Sequence, residues 1–353
     1  MATNEKKLTM EDIAKICGVA RSTVHAVFTN KPWVTEKTRN KVMDVVQKLN
    51  YSPCPIAKTL ASGLSGLVGV VIRDLTNPFY DQFLERVEDL LKDYVIVYFN
   101  TRHDPRREAR AVETLMGYRA DGLIIAPARP ELGTTHLTNW VRQGRALVSM
   151  DRLTGTDSNF VDLNDRHIGY MAAEHLFSHG HRRVCFFAGP RQREHHDDER
   201  VVGFKMCMLD YGIDPYDCDT IRVGLGWENG YRAASKLLAH NRDAFTAIIC
   251  GNDYVAGGVY KAAYGHGVRI PDDLSVIGCD DIDLASVLGP SLTTINLNVR
   301  DIGEKVALTL LEQIRGGEDF KCVSIPVSPV LVERESVKSL SRIAPRQARA
   351  RGY

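Results

Sequence analysis

Leu8-Thr9-Met10-Glu11-Asp12-Ile13-Ala14-Lys15-Ile16-Cys17-Gly18-Val19-Ala20-Arg21-Ser22-Thr23-Val24-His25-Ala26-Val27-Phe28 is the stretch from which the fold is read. Thr9 offers a side-chain oxygen to the first turn of a helix, and Asp12, three residues on, can answer its backbone N–H. Glu11 and Asp12 also place negative charge at the positive end of that helix. Gly18 falls where the chain must turn sharply, a position suited to a residue free to adopt positive φ. The pattern predicts a second short helix over Arg21–Phe28, with Val24, Val27 and Phe28 turned inward. Thr35 then opens a third helix, in which Val42, Val45, Val46 and Leu49 recur at i, i+3, i+4 and i+7. Three short helices with a glycine turn between the first two form a helix-turn-helix. Residues at the N-terminal end of the second helix of such a unit reach base edges in the DNA major groove. Here those are Arg21 and Ser22, followed by Thr23 and His25. Arg21 suits either a guanine edge or a phosphate.

The charge distribution agrees with a polyanionic partner for this end. Residues 1–62 carry a net charge of +5, while the whole chain carries +1, so the other 291 residues are slightly acidic. A basic head on an acidic body suits nucleic acid, although many solvated helical faces are also basic.

The stretch LTMEDIAKICGVARSTVHAVFTNKPWVTEKTRNKVMDVVQKLNYSP, residues 8–53, resembles the lactose-repressor (LacI/GalR) family of transcription regulators. The resemblance rests on Asp12, Ala14, Gly18-Val19, Thr23-Val24, Asn30, Val34, Thr38-Arg39, Leu49, Tyr51 and Pro53. It implies DNA contacts from Thr9, Asn30 and Thr38 in addition to Arg21, Ser22, Thr23 and His25. Two departures stand out. The family usually has Ser at the N-cap of the second helix and Arg five or six residues later, where this chain has Ala20 and Ala26. The lost cap costs about 1 kcal/mol, and the missing Arg points to an operator outside the usual family consensus.

Residues 52–63, SPCPIAKTLASG, link this reader to the rest. The resemblance makes them a hinge helix that folds in the minor groove when two subunits meet on DNA. Leu60 would be the wedge between central base pairs. Pro55 can occupy the first helical turn, where its missing N–H costs nothing. A plain solvated linker is the other reading.

Beyond the linker the pattern changes. Short apolar runs at 67–72, 95–99, 123–126, 146–150, 184–188, 220–223, 247–250 and 276–279 alternate with helical stretches. Strands recurring in this way imply parallel sheets covered by helices. There are too many for one small lobe, so two lobes are expected, breaking near Asn164. Segments near 293–295 and 323–330 would cross back between them. Residues 67–335 resemble the sensor half of the same family and the periplasmic sugar-binding proteins. The expected fold is thus an all-α helix-turn-helix domain (residues 1–51), a hinge (52–63), and an α/β core (64–337). That core is two-lobed, with two doubly wound parallel sheets, and carries effector binding and dimerisation. A basic, disordered tail (338–353) would follow.

Ligands of open α/β sheets bind beyond the carboxyl ends of strands. Asn77, Phe79 and Tyr80 follow the first strand, Asp151 and Arg152 the fourth, Arg200 the fifth, Asn252 the seventh and Asp280 the eighth. The resemblance matches these to effector-binding positions of pentose- and hexose-recognising relatives. The loop after the sixth strand offers Leu225 and Trp227, and Trp227 enters the candidate set without excluding Leu225. Carboxylates, amides and guanidinium groups bond sugar hydroxyls, and aromatic rings cover apolar sugar faces. Asp151 and Arg200 suit a purine equally, but Asn77-Pro78-Phe79-Tyr80 favours a monosaccharide. Leu297 stands where sugar binders often carry an amide.

Other classes find little support. No nucleophile–base pair, P-loop or metal motif suggests an enzyme, and no cofactor is expected. The run Glu194-His195-His196-Asp197-Asp198-Glu199 reads as a solvated loop rather than a metal site. The turn Gly224-Leu225-Gly226 lacks dinucleotide-binding spacing. The eight cysteines form no C-x-x-C pair and read as buried free thiols. No apolar run approaches the roughly 18–20 residues needed to cross a bilayer, and no signal-like core follows Met1. A cytoplasmic regulator without a membrane partner is expected. One reader helix contacts too few bases, so a homodimer on a near-palindromic operator follows; further association of two dimers stays open.

Overall fold

The computed structural model describes residues 8–28, 31–49, 51, 64–128, 135–189, 198–317 and 320–340. Asn30, the expected hinge with Leu60, residues 194–197 of the polar run and the tail beyond 340 lie outside the described residues. The chain divides into two compact units, one ending at Gly66 and the other beginning at Leu67.

The first unit contains α1 (Met10–Cys17), α2 (Arg21–Phe28) and α3 (Glu36–Lys48). The capping box forms: the Asp12 N–H donates to Thr9 Oγ1 at 3.3 Å, and the Thr9 N–H donates to Asp12 Oδ2 at 2.8 Å. Gly18 adopts φ 61°, the left-handed conformation that lets its N–H close the end of α1. Thr35 caps α3 by accepting from the Thr38 N–H at 3.3 Å. Ile13, Ala14, Cys17, Val24, Ala26, Val27, Val34 and Val42 form one small core. Ala26 fits because it is small enough to be buried there. Two inward-facing expectations change. Leu49 is the C-cap of α3, beyond the helical repeat, and stays 39% exposed. Phe28 is only half-buried, tilted against Tyr51 with ring centroids 6.3 Å apart.

The second unit opens with β1 (Leu67–Ile72), α4 (Phe79–Leu90), β2 (Val95–Asn100), α5 (Pro105–Gly117), β3 (Gly122–Ile125), α6 (Thr135–Arg142), β4 (Ala146–Ser149) and β5 (Asn159–Asp162). It continues with α7 (Asp165–Ser178), β6 (Val184–Ala188), α8 (Glu199–Tyr211), β7 (Asp219–Arg222), α9 (Trp227–His240), β8 (Ala247–Cys250), α10 (Asp253–Gly265) and β9 (Ser275–Asp280). It closes with α11 (Asp283–Val287), β10 (Thr293–Asn296), α12 (Val299–Gly316), β11 (Ser324–Pro326) and β12 (Val330–Val332).

Two six-stranded sheets result, ordered β11-β5-β4-β3-β1-β2 and β12-β10-β9-β8-β6-β7. All neighbours are parallel except β12, which runs antiparallel to β10. The apolar runs become strands because both sheet faces are covered, which favours continuous Val, Ile and Leu over alternation. β1 is fully buried over its last five residues. The lobe boundary falls between β5 and β6. The chain then crosses back: β10 stays in the second sheet, α12 packs on α4 of the first lobe, β11 joins the first sheet and β12 returns to the second. α12 is tied down by Arg86, whose Nη2 lies 2.7 Å from Glu304. Gln313 on the same helix accepts from Leu147 N and Asn159 Nδ2.

β5 escaped the sequence reading because its four residues, Asn-Phe-Val-Asp, carry no apolar run. Lys338 and Leu340, expected in the tail, are instead fastened to the second lobe through Ser275 and His179. The described cysteines are free thiols, with Cys218 and Cys322 half-buried and the others buried. Among the described residues, no helix is long and apolar enough to cross a membrane.

Candidate functional site

The carboxyl ends of the two sheets face one cavity of about 530 Å³ between the lobes of the second unit. In each sheet the first strand of the lobe, β1 or β6, sits between strands reached in opposite directions. That topological switch leaves a crevice at the strand ends. Asn77, Phe79, Tyr80, Asp151, Arg200, Asn252 and Asp280 all line it, together with Leu297.

The first-lobe wall is largely spoken for. The Arg73 Nη2 donates to Asp151 Oδ2 at 2.8 Å. Burial lowers the Arg73 pKa, but Asp151 and Tyr80 more than offset it and hold the guanidinium above its ordinary value. Burial pushes the Asp151 carboxyl up, with Arg73 pulling it part of the way back. Asn77 Oδ1 accepts from the Phe79 N–H and starts α4. Phe79 and Tyr80 meet edge to face, centroids 5.3 Å apart at 86°.

The second-lobe wall leaves more groups unspent. Asp198 caps α8 by accepting from the Arg200 N–H. The Arg200 side chain donates through Nε to Asp165 at 2.6 Å and through Nη1 to the Gly251 carbonyl at 2.6 Å. Its Nη2 has no partner among the described residues. Asn252 caps α10 through Oδ1, which accepts from the Val255 N–H, leaving its NH₂ group for a ligand. Asp280 ends β9 at φ 111°, followed by Asp281 at φ 55°. Such backbone costs about 1–3 kcal/mol per residue and is held by Asp281, which accepts from Asn296 and Arg334. Burial pushes the Asp280 carboxyl up to about 7, against the pull of Arg200.

Close helix contact positions Arg200. α7 and α8 cross at Gly169 and Gly203. A Cβ on Gly169 would lie 1.8 Å from the Arg200 carbonyl oxygen, and one on Gly203 would lie 1.8 Å from that of Arg166. Glycine at both points lets α7 and α8, whose first turns carry Asp165 and Arg200, approach this closely.

Two expected contacts are corrected. Arg152 is not among the residues that line the cavity; its guanidinium lies 5.6 Å over the Phe160 ring. Trp227 starts α9, and its ring lies under the Lys261 ammonium at 6.0 Å. Leu225 and Asn229 line the cavity instead. Sequence reading also missed Arg73, His103 and Asp165. Arg73 directly follows β1 and His103 lies three residues beyond β2, so the strand-end rule covers both. Asp165 was signalled only by opening the helix after the lobe boundary.

In the first unit, Thr9, Arg21 and Ser22 are exposed and Thr23, His25 and Thr38 half-buried. Ala20 supplies no side-chain cap. Its carbonyl accepts from the Thr23 and Val24 N–H groups, and its own side chain leaves the end of α2 uncovered. Arg39 does not reach outward: it donates to the Val27 and Lys31 carbonyls and secures the far end of α2.

Residues 9–54 match the family model described as bacterial regulatory proteins, lacI family, and residues 173–337 match a periplasmic binding protein-like domain. The ribose operon repressor of Escherichia coli K12 is 30% identical over 331 residues, covering 93% of this chain and 99% of that repressor. The chain belongs to the lacI family of bacterial regulatory proteins. It is therefore a DNA-binding transcriptional regulator rather than an enzyme. The HTH-type transcriptional repressor PurR of Photobacterium profundum is 30% identical over 338 residues, 94% of this chain and 99% of its own length. Among solved structures, the lac repressor dimer bound to operator and the anti-inducer ONPF superposes with a TM-score of 0.79 at 26% identity. That match covers 94% of this chain and 100% of the other. Among the described residues, no group of three or more His, Cys, Asp or Glu side chains can hold a metal ion.

Proposed function

We propose that this lacI-family member is a repressor that binds a near-palindromic operator as a homodimer and senses a monosaccharide in the cleft between its sensor lobes. Residues 1–51 would be the reader, 52–63 the hinge and 64–337 the sensor, in a protein that acts in the cytoplasm. Arg21, Ser22, Thr23 and His25 would face the major groove, with Thr9, Asn30 and Thr38 on the backbone and Leu60 in the minor groove.

One observation carries the effector reading: the unspent Arg200 Nη2, Asn252 amide and Asp280 carboxylate converge on one cavity opposite Phe79 and Tyr80. Donors and acceptors in alternation suit vicinal hydroxyls, and the rings suit the apolar face of a sugar. The ribose repressor and PurR relatives mark sugar and purine as the two classes to weigh. Edge-to-face rings offer no parallel slot for a flat base, which favours the sugar. A thermal-shift screen of monosaccharides and purines on the full chain tests this, since a ligand of the folded state raises the melting temperature. A monosaccharide should stabilise the protein and change operator affinity in an anisotropy titration. Stabilisation by purines alone would overturn the sugar assignment.

A further inference from the structure

Two elements that face the cleft from opposite lobes also meet beside it. α4 carries Phe79 and Tyr80 on the first-lobe wall, and the turn from β9 into α11 carries Asp280 on the second. Outside the cavity lining, the Gln82 Nε2 donates to Asp283 Oδ1 at 3.2 Å, joining residues 201 apart in sequence. Gln82 is half-buried and Asp283 exposed.

Each end of this bond is fixed to its own lobe. α4 is held to α12 by the 2.7 Å contact of Arg86 with Glu304, and its Phe83 and Val87 are fully buried. On the other side the Ile282 N–H donates to the buried Asp253 at 3.0 Å, and Asp281 accepts from Asn296 and Arg334. α11 rests on α10, where a Cβ on Gly257 would lie 3.1 Å from Leu284. A hydrogen bond between two such anchors forms at one spacing of the lobes and breaks when they part. Effector affinity depends on the same spacing, because one wall alone leaves half of a ligand in water. The measured affinity is the intrinsic one reduced by the fraction of molecules whose walls stand at binding distance.

We propose that Gln82 is a positioning residue for the effector: its bond to Asp283 latches the lobes beside the cleft and holds Phe79 and Tyr80 at binding distance from Asp280, without touching the ligand. This rests on the cleft being the effector site argued above. By linkage, a ligand that bridges both walls strengthens the latch in turn.

Three forms of the full chain test this: Gln82→Ala, Gln82→Glu, and Gln82→Glu combined with Asp283→Asn. Alanine is a good helix former, so Gln82→Ala should leave the melting temperature unchanged. Lobe spacing is read without ligand, by pulsed electron spin resonance between labels on keto residues introduced at Tyr118 and Tyr264. Both are exposed, one on each lobe. Labelled chain is diluted in unlabelled chain, so that only distances within one chain count. Gln82→Ala should broaden the distance distribution. Gln82→Glu sets two carboxylates together and should broaden it further, more so at low salt than at high salt. In the double variant the new amide can donate to the new carboxylate, which should restore the narrow distribution. Calorimetry with ribose, glucose and galactose as probes should show about fivefold weaker binding in Gln82→Ala for any sugar that binds the wild type, with recovery in the double variant. Distances unmoved by Gln82→Glu overturn the latch. Distances that move while sugar affinity does not overturn the positioning role. Either result leaves the cleft assignment standing. If no monosaccharide binds the wild type, the sugar reading fails, and the ligand-free distances still decide the latch.

Discussion

The reader and the sensor cleft are built on opposite principles. In the reader the capping contacts join residues three or four apart: Thr9 with Asp12, Thr35 with Thr38, Gly18 with the end of its own helix; its longest described side-chain hydrogen bond, Arg39 to the Val27 carbonyl, spans 12 residues. In the cleft the decisive pairs lie far apart in sequence, Arg73 meeting Asp151 across 78 residues and Arg200 meeting Asp165 across 35. Local contacts make the reader's shape a property of short sequence and leave its recognition residues exposed. Distant contacts make the cleft a property of the whole unit, where polar groups are buried and strained to stay available. A change in the cleft should therefore disturb stability, pH response and ligand affinity together, whereas a change in the reader should stay local.

Asp280 is where the two regions should differ most. Burial pushes its carboxyl from the ordinary carboxylate range up to about 7. Between about pH 4 and about pH 7 the unfolded chain has released this proton while the folded chain keeps it. Its contribution is thus fully present below about pH 4 and is lost as pH rises through about pH 7. At 1.36 kcal/mol per pKa unit the loss amounts to about 4 kcal/mol. Asp280→Asn cannot ionise, so it should exceed the wild type in stability at pH 8 by up to about that amount and match it more nearly at pH 5. Urea midpoints at both pH values decide the matter. An unchanged difference between the two proteins across this range would show that Asp280 stores no electrostatic cost.

Next in size is Gly203→Ala. The new Cβ would meet the Arg166 carbonyl oxygen at 1.8 Å, and backbone cannot rotate away as a side-chain tip can. α7 and α8 must separate, at a cost of about 3 kcal/mol. Arg200 would also be drawn from Asp165, so effector affinity should fall with stability. Loss of stability alone would mean that the helix crossing does not position Arg200.

Arg200→Ala tests the ligand contact itself. Losing a charged hydrogen bond to a buried hydroxyl costs about 1.5–3 kcal/mol, more than tenfold in affinity. Calorimetry with the identified effector should show this loss, while effector-free operator binding is retained. Full effector affinity in the variant would remove Arg200 from the site.

What could be read from sequence follows the same division. The reader's helix bounds at Arg21–Phe28 and its capping box rest on neighbours, so type and spacing sufficed. The strands were legible from buried apolar runs, except β5, whose polar ends hide a four-residue strand. In the cleft, a residue at a strand end can be placed near a crevice, but not told which way it turns. Arg152 follows Asp151 directly and yet stacks on Phe160. Trp227 lies two residues past Leu225, and the helix it begins carries its ring to Lys261. Arg73 was invisible as a partner because its carboxylate lies 78 residues away.

The smallest effect should come from the reader, and its confinement is what the comparison predicts. Thr9→Ala removes the oxygen that accepts from the Asp12 N–H and the hydroxyl that donates to the Asp12 carboxylate. Such a cap contributes about 1 kcal/mol. α1 supplies Ile13, Ala14 and Cys17 to the small core, so the loss should be shared by α2 and α3. Hydrogen exchange on the full chain without DNA should show reader amides opening about fivefold more often. Amides of β6, β8 and β9 should be unchanged. Thr9→Ser keeps the oxygen and should restore protection, which separates the cap from the methyl group. If the Ala variant also raised exchange in the sensor strands, the reader would not be the self-contained unit that its short-range contacts make it.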